Sequence, residues 1–80
     1  MTLFEILDEM GRLSDTHDIQ FEVNNFGVII RKYFYYGDKP YNFSQAFDFE
    51  IFKYKDLEDC VLEFERRLEI DLNSKRGEDN

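Results

Sequence analysis

The sequence has one cysteine, one histidine and no tryptophan, and its ten basic residues are outnumbered by eighteen acidic ones. Each scarcity excludes something. A lone thiol, Cys60, closes no internal disulfide, so a reducing compartment, the cytoplasm, is expected. No run of about 18 apolar residues occurs, which argues against a transmembrane helix. The N-terminus carries no basic region followed by an apolar stretch, so no signal peptide is expected. The four glycines build no phosphate-cradling loop. The shortage of bases leaves a net charge of −8, which repels nucleic acid phosphates and anionic membranes. Basic protein partners are the favoured class, against the simpler account that acidic charge only keeps a small protein soluble.

Aromatic residues are what the chain has in quantity. Nine Phe and five Tyr make up 18% of its 80 residues, and each such ring buries roughly 150–250 Å². One domain of this length is marginal, burying about 60% of its unfolded surface. The rings let it build a core without metals or disulfides. With 42% hydrophobic residues in clear periodic patterns, the chain is not disordered despite 35% charge.

Leu3, Ile6, Leu7, Met10 and Leu13 share one helical face. Thr2 and Glu5 form a capping box, and Met1 and Ile6 are placed as a hydrophobic staple. Gly11 weakens the helix or admits a close neighbour. The helix is expected to end near Ser14, with a polar connector over 14–18. Strict alternation over 19–23 reads as a half-buried strand with Ile19, Phe21 and Val23 on one side. Residues 24–27 make a turn. A second strand spans 28–36, with Val28, Ile30, Lys32, Phe34 and Tyr36 expected on the core face and Ile29, Arg31, Tyr33 and Tyr35 on the other. After a loop at 37–40, a third extended segment runs from about 41 to 52, with Phe43, Phe47, Phe49 and Ile51 on one face; a bulge or short turn at 44–46 would interrupt it. The last helix carries Leu57, Val61, Phe64, Leu68 and Leu72, with Asp56 as N-cap and acid in its first turn. Residues 73–80 lack apolar anchors and read as a polar C-terminal tail on a single domain of residues 1–72. The fold class is α+β, in the order α-β-β-β-α: a three-stranded antiparallel meander with two helices on one face.

Little here points to catalysis. His17 sits in a polar connector with Asp15 and Asp18, without a nucleophile at a set spacing. Cys60 lies among Glu58, Asp59 and Glu63, which raise its pKa if anything. The carboxylates match neither a calcium loop nor an acid–base pair in a pocket. No catalytic residue, metal site or cofactor is assigned, and the chain is not expected to be an enzyme. The α-β-β-β-α order resembles that of the double-stranded RNA-binding domain, and Lys53 and Lys55 precede the second helix where that family carries basic residues. Asp56, Glu58 and Asp59 follow at once, and no lysine cluster is present, so direct nucleic acid binding is not expected.

The positive signal is a combination of acid and aromatic surface. Tyr33 and Tyr35 are expected on one sheet face with Asp48 and Glu50, joined by Glu22. Tyr offers large rigid area with a polar tip, and spaced carboxylates imitate a row of phosphates. Asp38, Glu58, Glu65 and Glu69 extend the set of expected partner-binding residues. The equally weighted alternative is that the tyrosines pack on one another or on a second copy. Small size, acidity and an aromatic-rich α+β core, with Glu5, Asp8 and Glu9 on the first helix, Glu22, Asp48 and Glu50 on strands, and Glu58, Asp59, Glu63, Glu65 and Glu69 on the second helix, resemble the phage-encoded anti-CRISPR proteins. That resemblance implies a non-catalytic inhibitor in a host cytoplasm, binding the basic nucleic-acid site of a CRISPR-associated nuclease by mimicry. The rival expectation is a self-associating or regulatory interaction domain, with a homodimer formed through the open sheet face or an edge strand.

Overall fold

The computed structural model describes residues 2–78, with side chains of Leu3 and of residues 76–78 outside that description. Its elements follow the expected order: α1 (Leu3–His17), β1 (Gln20–Val23), β2 (Gly27–Tyr36), β3 (Lys39–Asp48), a 3-10 helix (Phe49–Lys53) and α2 (Leu57–Glu78). The three strands form one antiparallel sheet in the order β1-β2-β3.

α1 starts where the sequence places it. The Thr2 hydroxyl accepts the Glu5 N–H at 3.2 Å, satisfying one of the free donors of the first turn. The expected staple involves Met1, which lies outside the described residues. The helix passes Ser14 and ends at His17, because Asp18 takes the left-handed conformation (φ 54) and donates its N–H to Ser14 O. Asp is among the few non-glycine residues that adopt this geometry at a helix end. The polar connector is thus the last helical turn.

Both hairpins are tight. At the first, the Asn24 side chain accepts the N–H groups of Phe26 and Gly27 at 2.8 and 3.0 Å, holding the turn. Gly27 opens β2 for a steric reason: a Cβ there would lie 1.9 Å from the Phe47 carbonyl oxygen. The second hairpin turns on Gly37 and Asp38 alone, with Tyr36 opposite Lys39. Gly37 has φ +69, matching the positive φ at the first central residue of a type II′ turn. The expected four-residue loop therefore shortens to two, and β3 begins at Lys39.

β3 pairs with β2 one-to-one from Lys39 to Asp48, without the expected interruption at 44–46. It also ends earlier than the apolar alternation implies. The Asp48 carboxylate accepts the Glu50 N–H at 2.9 Å and starts the 3-10 helix. Phe49, Glu50, Ile51 and Phe52 leave the sheet there, and Ile51 and Phe52 pack against the core from that turn.

α2 opens with a reciprocal cap. Asp56 Oδ1 accepts the Asp59 N–H at 2.9 Å, and Asp59 Oδ2 accepts the Asp56 N–H at 3.3 Å. The helix does not stop at Leu72 but continues to Glu78, through most of the stretch read as a tail. The β2–β3 hairpin reaches beneath it: Lys75 Nζ sits 4.0 Å from the centre of the Tyr41 ring, and Tyr41 meets Phe34 edge-on at 5.0 Å.

The core lies between the helices and the inner sheet face. Met10 and Leu13 of α1, Ile19, Val28, Ile30 and Phe47 of the sheet side, and Leu57, Cys60, Val61, Phe64 and Leu68 of α2 are buried. Phe64 and Phe43 pack with centroids 5.4 Å apart. The inward set on β2 is the aliphatic one expected. Lys32 belongs to it and is accommodated because its amine reaches His17 O at 3.3 Å, a free carbonyl at the negative end of α1. Leu7, expected on the core stripe, is 51% exposed.

Candidate protein-binding surface

The acidic residues considered for partner binding fall into three groups. Arg31 pairs with Glu22 at 3.3 Å across β1 and β2, so the outer sheet face has little net charge near its middle. Tyr33 and Tyr35 lie on this face, 55% and 75% exposed. They stand opposite Asn42 and Pro40 and border an open depression of about 470 Å³ with Phe34 and Tyr41. Asp48 shares the face by register, opposite Gly27, but it lies six residues along β3 from Asn42, roughly 20 Å away. Glu50 is not on the sheet: it sits in the 3-10 helix and pairs with Lys53 at 2.9 Å. The expected acid–tyrosine surface therefore separates into two ends.

Asp38 occupies the tip of the second hairpin. Glu65 meets His17 Nδ1 at 2.8 Å and ties α2 to the end of α1. Glu69 is exposed on α2, without an ion pair among the described residues. Glu63, between Lys55 and Arg67 at 3.6 and 3.5 Å, is largely neutralised.

The third group forms one continuous feature. Arg12 contacts Glu58 at 3.6 Å, and five residues later His17 contacts Glu65. The two helices therefore run side by side in the same direction, staggered so that the first turn of α2 lies beside the third turn of α1. Glu5, Asp8, Glu9, Arg12, Asp56 and Glu58 line an open groove of about 460 Å³ between them. Five carboxylates face one guanidinium there. Arg12 is held by Glu9 at 2.7 Å, and its pKa is raised first by that hydrogen bond and then by the Glu9 charge. Glu5 in the first turn of α1, and Asp56 and Glu58 at the start of α2, also answer the partial positive charge of their own helix N-termini. Of the nine expected partner-binding residues only Glu58 belongs to this groove.

Cys60 is buried and unpaired. Desolvation, then the Glu63 charge, push its thiol up to about 11, which disfavours the nucleophilic thiolate. Among the described residues no group of three or more His, Cys, Asp or Glu is placed to hold a metal ion, and no helix is long and apolar enough to cross a membrane. The chain matches no family model, no curated protein and no solved structure.

Proposed function

We propose that this protein is a small non-catalytic inhibitor that docks on a basic, nucleic-acid-processing protein of the cytoplasm and occupies its nucleic-acid site. The observation that carries this reading is the groove in which Glu5, Asp8, Glu9, Asp56 and Glu58 surround a single base, Arg12. Carboxylates along the early turns of α1 and at the start of α2 offer a row of negative charge on a rigid support, as a phosphate backbone does. The net charge of −8 steers a basic partner toward that row. The resemblance to phage-encoded anti-CRISPR proteins makes a CRISPR-associated nuclease the first target to test.

The test is inhibition of a purified CRISPR-associated nuclease, alongside capture of basic proteins from a bacterial lysate at low and high salt. Binding through the groove weakens as salt rises, because exposed charges are screened within about 8–10 Å at physiological ionic strength. Asp8→Lys combined with Glu58→Lys slows association by roughly tenfold or more at low salt, while Glu22→Gln, on the outer sheet face, has little effect. Binding that ignores both salt and the double reversal refutes this reading and favours a regulatory domain whose target is unrelated to nucleic acid.

A further inference from the structure

β3 has β2 on one side and no described strand on the other. The Phe49 N–H donates to Phe26 O at 3.2 Å, which sets the parity of the ladder. Continuing the register, residues 47, 45, 43, 41 and 39 exchange hydrogen bonds with β2. The N–H and C=O groups of Asn42, Ser44, Ala46 and Asp48 therefore point outward, away from the sheet. Proteins usually guard such an edge with charge, bulges or proline. Here the stretch from Tyr41 to Phe47 carries none of the chain's 28 Asp, Glu, Lys and Arg residues, and its pairing with β2 has no bulge. Only Pro40, which lacks an outward N–H, interrupts the edge.

We propose that this edge is a homodimer interface, in which the β3 strands of two copies pair antiparallel about a two-fold axis at Gln45 and join the two meanders into one continuous sheet. The usable edge runs from Asn42, the first outward donor after Pro40, to Asp48, where the strand ends. Gln45 is its midpoint, so the edge is symmetric about that residue. Gln45 Oε1 is shielded from water and has no hydrogen-bond partner, which is costly for a polar atom. Gln45 lies on the axis, and a rotamer change that turns its amide from the inner face toward the second copy's Gln45 gives that oxygen an N–H₂ donor. Ser44 then lies opposite the partner's Ala46, Phe43 opposite the partner's Phe47, and Asn42 opposite the partner's Asp48. Small residues meet on the outer face, rings on the inner face, and an amide meets a carboxylate at each end; no like charges oppose one another. A foreign strand would have to match this pattern, whereas a second copy matches it by symmetry.

The acidic groove plays no part in this pairing, and the salt responses separate the two proposals. Two copies of −8 repel, so dimerisation tightens as salt rises, opposite to docking on a basic partner. Sedimentation equilibrium from micromolar to near-millimolar protein is expected to show a reversible monomer–dimer transition. Ala46→Pro removes an outward donor from each copy at a position where an edge strand tolerates proline. It is expected to weaken the dimer at least about tenfold while leaving the circular dichroism spectrum unchanged. Should that variant fail to fold, Ser44→Lys, at an exposed position, is expected to give the same loss. Gln45→Cys tests the register: facing residues without mutual hydrogen bonds have Cα atoms about 4.5 Å apart, within disulfide reach, so oxidation cross-links this variant but not Tyr33→Cys. A protein that stays monomeric throughout, a dimer indifferent to both edge substitutions, or cross-linking at residue 33 and not at 45 overturns the proposal.

Discussion

Replacing Gly27 by alanine is expected to destabilise the fold, although chain entropy alone predicts the reverse. The φ of Gly27 is not positive, and at a compatible backbone Gly→Ala stabilises by about 0.4–1 kcal/mol through the unfolded state. The structure changes the sign. An added Cβ lies 1.9 Å from the Phe47 carbonyl oxygen, and ordinary contact starts at 3.4 Å, so the backbone of β3 must retreat by the difference, 1.5 Å. Neither neighbour is a flexible side chain. A retreat of that size exceeds the reach of a hydrogen bond. It breaks the Val28–Phe47 step of the ladder and the Phe49 N–H to Phe26 O bond, at about 0.5–1.5 kcal/mol each. It also drags the buried Phe47 ring, adding an overpacking strain of about 1–3 kcal/mol. After the entropic gain is subtracted, the net loss is about 3 kcal/mol, or roughly 12–24 °C in Tm for a domain of this size. Urea titration followed by circular dichroism measures it. Gly11→Ala is the internal control: its Cβ meets nothing within 4 Å on an exposed stretch of helix, so a gain of about 0.5–1 kcal/mol is expected. Gly27→Ala at or above wild-type stability would refute the close-approach argument.

Phe64→Ala removes the largest fully buried side chain and its contact with Phe43; a loss of about 3–5 kcal/mol in urea unfolding is expected. Cys60 supplies a pH dependence. Its folded pKa is pushed up to about 11 from an ordinary 9.0, so the folded state holds the thiol proton more tightly than the unfolded chain does. That contribution to stability is complete below about pH 9 and is lost as pH rises through about 11. Thermal unfolding between pH 8 and 11 should show a falling midpoint that Cys60→Ala flattens, and alkylation at pH 8 should proceed only at the rate of unfolding.

The parts of the fold written in the sequence were those where a repeating period met a definite boundary residue. The stripe from Leu57 to Leu68 and the Asp56 cap located the start of α2, and the more aliphatic side of the second strand identified the buried face. Alternation failed at the end of β3, because Phe47, Phe49 and Ile51 keep a strand-like period after the chain has left the sheet; the informative residue was Asp48, whose carboxylate caps the next turn. The end of α2 was hidden because a contact beyond Leu72, Lys75 over the Tyr41 ring, joins residues distant in sequence. The groove was legible only through topology. Each helix runs back across the sheet, and an odd number of antiparallel strands between them turns both the same way. Glu5, Asp8 and Glu9 thereby meet Asp56 and Glu58, a juxtaposition that no local pattern contains.

Burial ends well before the molecule does. The domain measures 47 × 22 × 20 Å, and its fully buried side chains are Leu13 of α1, Val28 and Ile30 in the first half of β2, and Leu57, Cys60, Val61 and Phe64 in the first half of α2. Past them, the Lys75 amine over the Tyr41 ring links the hairpin to the last turns of α2, and Tyr41 packs in turn on Phe34 within the hairpin. Such an arm, lying outside the buried core, opens on a free-energy scale below that of global unfolding. A ligand that reshapes the tip works against a part of the molecule outside the buried core, whereas one that reshapes the opposite end works against the core itself.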